Sequence, residues 1–325
     1  MYYIVGAMMN RGPSMTEPIV IEHLTKDFSG FKAIDDLNIT VKKRSFMGFL
    51  GPNGAGKTTT IKILTHLLYA TSGSAYLNGI DVTKDPKHAL FDVGAVVETP
   101  EFYPYLTPVE TLAYMGELVG LSDEDIRRRT KEVLETVKMT EWADKRIGKF
   151  SKGMKQRIAI AQAILNEPLI VVLDEPTTGL DPRGQFEVRE ILTELKKEGY
   201  TVFMSSHMLN EVQDVCDEVA LINHGKLLQV GKVADLVKSN DFRRLEIKIK
   251  QNVDADVLKK VASLSGVSEL EAVGPSVFVL SIHGGEDAQI ALLLQLISLD
   301  LKVVSFKESG VALENLYMSL IQESR

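Results

Sequence analysis

Gly51-Pro52-Asn53-Gly54-Ala55-Gly56-Lys57-Thr58 fits G-x-x-x-x-G-K-[ST], the pattern of a phosphate-binding loop. The pattern carries meaning only between a buried strand and a helix. Phe46-Met47-Gly48-Phe49-Leu50 reads as the strand, and Thr59 to Leu68 is long and apolar enough for the helix. Glycines let the backbone curl around a phosphate, so that loop N–H groups and the helix N-terminus face the negative charge. Lys57 can reach the β- and γ-phosphates of a nucleotide, and the Thr58 hydroxyl can bind Mg²⁺. The candidate nucleotide-binding stretch therefore runs from Gly51 through Thr59.

With 325 residues the chain can bury one large core and a smaller second one. Its net charge of −7 gives no electrostatic support to a general nucleic-acid-binding role. The single cysteine, Cys216, excludes an internal disulfide. No stretch approaches the roughly 18 apolar residues of a membrane span, so a membrane role requires a partner chain. Met1 to Met15 has neither a basic n-region nor a long apolar h-region, so it does not read as a signal peptide. Met15 is the better start for the folded part.

Alternating apolar residues over 19–24 and 37–41 suggest antiparallel strands, with further strands over 75–77 and 93–97. Thr107-Pro108-Val109-Glu110 is a capping box with proline at the first helical position. Helices are expected from there to about Val119 and from Ser122 to about Lys138, with Arg127, Arg128 and Arg129 on a solvated face. This stretch reads as a helical insertion in an α/β core. Strands are then expected over 169–173, 201–205, 219–222 and 227–230, with a helix after the N-cap pair Asp181-Pro182. Such alternation argues for a parallel sheet covered by helices. Near Ser239 the pattern restarts as strand, helix, two strands, helix and strand, the β-α-β-β-α-β order of ferredoxin-like folds. A last helix would put Leu313, Leu316, Tyr317, Leu320 and Ile321 on one face.

Leu169-Ile170-Val171-Val172-Leu173 is an apolar strand that ends in two carboxylates, Asp174 and Glu175. Ligands bind at strand ends in such sheets. Asp174 can hold Mg²⁺, and Glu175 can orient or deprotonate an attacking water. In Phe150-Ser151-Lys152-Gly153-Met154-Lys155-Gln156-Arg157, Ser151 is an N-cap candidate for the apolar helix that follows, Ile158 to Leu165. The same turn can also serve as a second phosphate-binding helix N-terminus.

At this point the chain resembles the ATP-binding-cassette (ABC) ATPases, whose signature loop this is. The match covers about Ile19 to Leu236 in the expected order. Phe150, Lys152 and Met154 depart from the usual signature, whereas Ser151 and Gly153, the two used on phosphate, are retained. The resemblance implies further assignments. Phe28 would stack on adenine, although an aromatic there can equally be core. Thr178-Gly179-Leu180-Asp181 would be the loop that crosses to a partner subunit, and His207 the switch histidine on the γ-phosphate. Glu98 stands where the family carries glutamine. As an anion with acceptors only, it could bind Mg²⁺ more strongly, repel phosphates, or be a tolerated substitution.

The implied fold is an α/β P-loop ABC ATPase core with an antiparallel β subdomain and a helical insertion, followed by a small ferredoxin-like α+β domain. The expected divisions are an extension over 1–16, a nucleotide-binding domain over 17–238 with its helical part at 99–150, and an accessory domain over 239–325. The resemblance implies ATP and Mg²⁺ as cofactors and a two-fold dimer in which each signature loop closes on the other copy's ATP. It also implies a separately encoded membrane permease as partner, and hence the cytoplasmic face of the membrane. Phe102, Tyr103 and Tyr105 are candidate contacts to that permease. The glutamate at 98 and the compact C-terminal unit resemble exporters of the bacitracin-resistance and lantibiotic-immunity kind. An importer ATPase and a non-transport ATPase acting on DNA or ribosomes are the alternatives. Against the second stand the single cassette and the lack of sustained heptads between Lys57 and Ser151.

Overall fold

The computed structural model describes residues 17–239 and 242–309, together with 313, 314, 316, 317 and 320. The extension over 1–16 and Ile321 of the expected last helix lie outside them; Leu313, Leu316 and Tyr317 are helical and buried. The chain divides into two compact units, the first ending at Val230 and the second beginning at Gly231.

The first unit opens with β1 (Ile19–Phe28), β2 (Phe31–Val41), β3 (Phe46–Leu50), α1 (Lys57–Leu64), β4 (Ser72–Leu77) and β5 (Ile80–Asp81). It continues with α2 (Pro86–Ala89), β6 (Val93–Val96), α3 (Pro108–Leu118) and α4 (Asp123–Thr136). Two short 3₁₀ turns lead into α5 (Lys152–Ala163), β7 (Ile170–Leu173), α6 (Pro182–Glu198), β8 (Thr201–Ser206), α7 (Leu209–Val215), β9 (Glu218–Asn223) and β10 (Lys226–Lys232), whose last two residues fall past the division. Strands β2-β1-β4-β5 form an antiparallel sheet in that order. A six-stranded sheet runs β10-β9-β3-β8-β7-β6, with β9, β3, β8, β7 and β6 mutually parallel. Apolar residues of both sheets and of α1 pack into one core that includes Ile21, Ile39, Phe49, Ile61 and Phe203.

Register decides where the functional residues emerge. Leu50 lies opposite Ser206, Met204 opposite Leu173, and Leu173 opposite Val96. Gly51, His207, Asp174 and Val97-Glu98 therefore leave the sheet along one edge, the carboxyl ends of the parallel strands.

The helical insertion begins with the expected capping box: the Glu110 N–H donates to Thr107 Oγ1 at 3.2 Å, and the Thr107 N–H donates to Glu110 Oε2 at 2.8 Å. Ser122 caps α4, and Asp123, Glu124 and Asp125 occupy its positive end. Two expectations need correction. The helix after the phosphate loop runs over Lys57–Leu64, not from Thr59 to Leu68. His66 takes φ +56°, and the N–H groups of Leu67 and Leu68 both turn back to the Lys62 carbonyl, which ends the helix and leaves Leu67 exposed. Arg127 and Arg128 are solvated as expected, but Arg129 is only 8% exposed. Its Nε and Nη2 donate to the carbonyls of Leu165 (3.0 Å) and Ile164 (2.9 Å). Those are carbonyls that the end of α5 cannot satisfy within its own helix, and a guanidinium fork fits the pair.

The second unit contains α8 (Val233–Ser239), β11 (Phe242–Ile249), α9 (Ala255–Ala262), β12 (Val267–Gly274), β13 (Val277–His283), α10 (Glu286–Ser298) and β14 (Val303–Glu308). Its strands lie in the order β12-β13-β11-β14, each antiparallel to its neighbour, which is the ferredoxin-like arrangement. Leu245, Ile247 and Ile249 alternate inward against Val261 of α9 and Leu292 and Leu296 of α10, the reason the period-2 and period-3.6 patterns were both visible in sequence. No helix among the described residues is long and apolar enough to cross a membrane.

Candidate nucleotide-binding and hydrolysis site

The phosphate loop links the buried strand β3 to α1. Gly56 is the residue before the helix and has φ +107°; a Cβ there would lie 2.4 Å from the Ala33 carbonyl oxygen, so only glycine fits. Lys57, the first helical residue, is 4% exposed. Its ammonium donates to the carbonyls of Gly51 (2.8 Å) and Pro52 (3.1 Å) and pairs with Glu175 Oε1 at 3.1 Å. The loop thus holds a buried cation on its own backbone, close to the N–H groups of the helix start.

Thr58 and Asp174 meet beside it. The Thr58 hydroxyl donates to Asp174 Oδ1 at 3.3 Å, and the Ser205 hydroxyl donates to the same oxygen at 2.6 Å. Ser205 Oγ also accepts from the Glu175 N–H at 2.9 Å, so one hydroxyl ties the ends of β7 and β8 together. Glu175 sits at φ +46°, an uncommon region for a residue with a long side chain. Thr178 Oγ1 donates to Glu175 Oε2 at 2.6 Å, and His207 Nδ1 contacts the same oxygen at 2.9 Å. Burial pushes the Glu175 carboxyl up. Hydrogen bonds from Thr178 and Lys57, with the charges of Lys57 and His207, outweigh it and hold the group below the usual glutamate range.

The structure brings together Lys57, Thr58, Asp174, Glu175 and His207 at the mouth of the Gly51–Thr59 loop. Ser151, Gly153 and Asp181 share no hydrogen bond or ion pair with that loop. Ser151 and Asp181 cap α5 and α6, accepting from Met154 N at 3.2 Å and Gly184 N at 3.1 Å. A Cβ on Gly153 would meet nothing closer than 3.6 Å within the chain, so packing inside this subunit does not require glycine there. Phe28 ends β1 with 47% of its surface exposed and the Lys26 ammonium 4.8 Å from its ring centre. Glu98 takes φ +61° and pairs with Lys62 of α1 at 2.5 Å.

Sequence reasoning gave no role to Ser205 or Lys62, and placed Thr178 in the crossing loop without its bond to Glu175. Ser205 lies two residues before His207, and Thr178 three after Glu175; both carry hydroxyls at strand or loop ends, the one signal available. Lys62 carried none, because its pairing with Glu98 exists only after folding.

A parallel sheet with a glycine-rich loop, a buried lysine and paired carboxylates at its strand ends defines a phosphate-loop nucleoside triphosphatase. The family model for ABC transporters matches residues 34–178. The bacitracin transport ATP-binding protein BcrA of Bacillus licheniformis is 36% identical over 308 residues, covering 94% of this chain and 98% of that protein. The linearmycin resistance ATP-binding protein LnrL of Bacillus subtilis is 35% identical over 215 residues, covering 66% of this chain and 69% of that protein. Among solved structures, the dimeric post-hydrolysis state of the ATP-binding cassette MJ0796, bound to ADP and Pi, superposes with a TM-score of 0.60 at 25% identity, covering 66% of this chain and 98% of that one. The chain belongs to the ABC transporter family and is one of its ATP-binding, ATP-hydrolysing subunits.

Proposed function

We propose that this subunit drives export through a separately encoded permease, as a two-fold dimer that holds two ATP molecules between its copies. The observation that carries the reading is the match to the bacitracin transporter's ATPase, which runs through both units rather than the nucleotide core alone. The dimeric state of the similar cassette with ADP and Pi supports the pairing. So does Gly153, a glycine that packing inside this chain does not require.

In this reading the Gly51–Thr59 stretch cradles the phosphates and Lys57 moves from its carbonyls to the β- and γ-phosphates. Phe28 offers its exposed face to adenine. Glu175 takes the proton of the attacking water, and His207 holds the γ-phosphate and orients Glu175. Ser151, Gly153 and Asp181 act on the other copy's nucleotide. Thr58 and Asp174 supply a hydroxyl and a carboxylate 3.3 Å apart, a sparse, hard-oxygen donor set of the kind that leaves room for waters and substrate phosphates around Mg²⁺. When bound, Mg²⁺ would neutralise charge on the β- and γ-phosphate oxygens.

Glu98 is a third candidate ligand for that ion, and its pairing with Lys62 sets the condition for the role. Glu98→Gln is expected to break the ion pair and shift the Mg²⁺ concentration that supports half-maximal phosphate release. Superimposable Mg²⁺ titrations would make Glu98 a bystander.

Residues 17–238 would handle ATP, with the helical part at 99–150 facing the membrane partner, and 239–325 would be accessory. Tyr103 and Tyr105, exposed with ring centres 5.6 Å apart, support Phe102–Tyr105 as part of the contact. The subunit would then sit on the cytoplasmic face of the membrane through its permease. Expressed beside its neighbouring membrane proteins, it is expected to co-purify in detergent with one that spans the bilayer repeatedly and to release phosphate from ATP until EDTA is added. A chain that purifies without any membrane partner and localises to ribosomes or DNA would overturn the reading.

A further inference from the structure

Lys152 is the first residue of α5, directly after Ser151. An ammonium is out of place there, because the free N–H groups of a helix start already carry partial positive charge. The structure turns it aside. Lys152 Nζ donates to the Thr178 carbonyl at 2.9 Å and lies against Gly179. Gly179 has φ +69°, and a Cβ on it would come within 2.4 Å of that Nζ. The left-handed backbone is what asks for glycine here, and the lysine lies against its bare side. Thr178 is bonded on its other side as well: its hydroxyl donates to Glu175 Oε2, the oxygen that also contacts His207. One short path joins the start of α5 to the hydrolytic carboxylate of the same chain.

We propose that Lys152 is a positioning residue that couples a triphosphate presented by a second copy at Ser151 and Gly153 to Glu175 of its own subunit, acting through Thr178. This rests on the two-copy reading above. A phosphate oxygen is a stronger, charge-assisted acceptor for an ammonium than a neutral carbonyl. Arrival of the other copy's nucleotide draws Lys152 off Thr178. The Thr178-Gly179 turn is then released, and with it the Thr178 hydroxyl that holds Glu175 in its present arrangement. Each copy's carboxylate becomes free to act only when the signature turn of the same copy is engaged. Turnover is thus cooperative in ATP, although each copy has a complete phosphate loop.

The test is the initial rate of phosphate release against ATP concentration, with the full chain and saturating Mg²⁺. The parent protein is expected to give a Hill coefficient approaching about two, the limit for two sites. Lys152→Met and Thr178→Val are each expected to bring it to about one, and Lys152→Arg to restore most of the loss. Lys152 is exposed, so the fold survives its replacement. A parent coefficient of one overturns the proposal. So does a Lys152→Met variant with only a shifted half-saturating ATP concentration and an unchanged coefficient, since that marks a simple phosphate contact. Size-exclusion of Glu175→Gln with MgATP separates the two claims. Without an ATP-dependent dimer the two-copy reading fails; with the dimer and an unchanged coefficient, only the role of Lys152 does.

Discussion

Glu175→Gln is expected to bind ATP, to pair with a second copy in its presence, and to release phosphate about 10²–10⁴-fold more slowly than the parent. The amide keeps the volume of the carboxyl and an oxygen able to accept from Thr178, so the loop geometry is retained. What it loses is the capacity to take a proton. It also turns a donor toward the Lys57 ammonium or the His207 ring, both of which now face an acceptor within 3.1 Å. Phosphate release checks the first effect and size-exclusion in MgATP the second. A variant that hydrolyses at the parent rate would remove Glu175 from the chemistry.

The same contacts set the base strength of the carboxyl in the role proposed for it. Held below the usual glutamate range by Thr178 and Lys57 against the opposing pull of burial, it is ionised but a weak base. Lys57 cannot serve Glu175 and the phosphates of a nucleotide at once. Its move to the phosphates would remove a donor and a charge from the carboxyl, while the Thr178 hydroxyl and the His207 charge stay in place. In the proposed role, substrate binding would thus lift one of the two restraints on Glu175, and release of the Thr178 hydroxyl the other.

The parts of this site legible in sequence were those that one chain segment specifies alone. Phe46–Leu50 reads as a strand because all five residues are buried, and Gly56 is fixed by its left-handed backbone. The Leu169–Leu173 run ending in Asp174 and Glu175 is likewise local, as is the ferredoxin-like alternation of the second unit. Relations set by register across the sheet were hidden. Ser205 bonds both Asp174 and the Glu175 amide because the register sets Leu173 opposite Met204, a fact that no window of residues contains. Arg129 reads like its neighbours Arg127 and Arg128 in sequence; only the fold brings the Ile164 and Leu165 carbonyls at the end of α5 beside it. The end of α1 was misjudged for a different reason. The apolar pattern continues through Leu67 and Leu68, but the left-handed turn at His66 overrides it.

Lys57→Ala should produce the largest loss of nucleotide affinity of any single replacement in the loop. A hydrogen bond to a charged group contributes about 1.5–3 kcal/mol, so the dissociation constant for ATP is expected to rise roughly 10- to 150-fold. The fold should suffer less, for a reason specific to this site. Removing the ammonium strands Glu175 beside His207 and takes a donor from the Gly51 and Pro52 carbonyls, of which Pro52 keeps the Ala55 N–H at 3.2 Å. Glu175 is still 19% exposed at its side chain and can recruit water, and loop carbonyls beside an open phosphate site can do the same. Lys57→Arg is not expected to rescue binding. The longer planar fork cannot enter a space in which the lysine is already 4% exposed. Titration with a fluorescent ATP analogue measures the affinity, and thermal unfolding of the same samples measures the fold. Unchanged affinity in Lys57→Ala, with a normal unfolding curve, would show that the glycine-rich turn is not where the triphosphate sits.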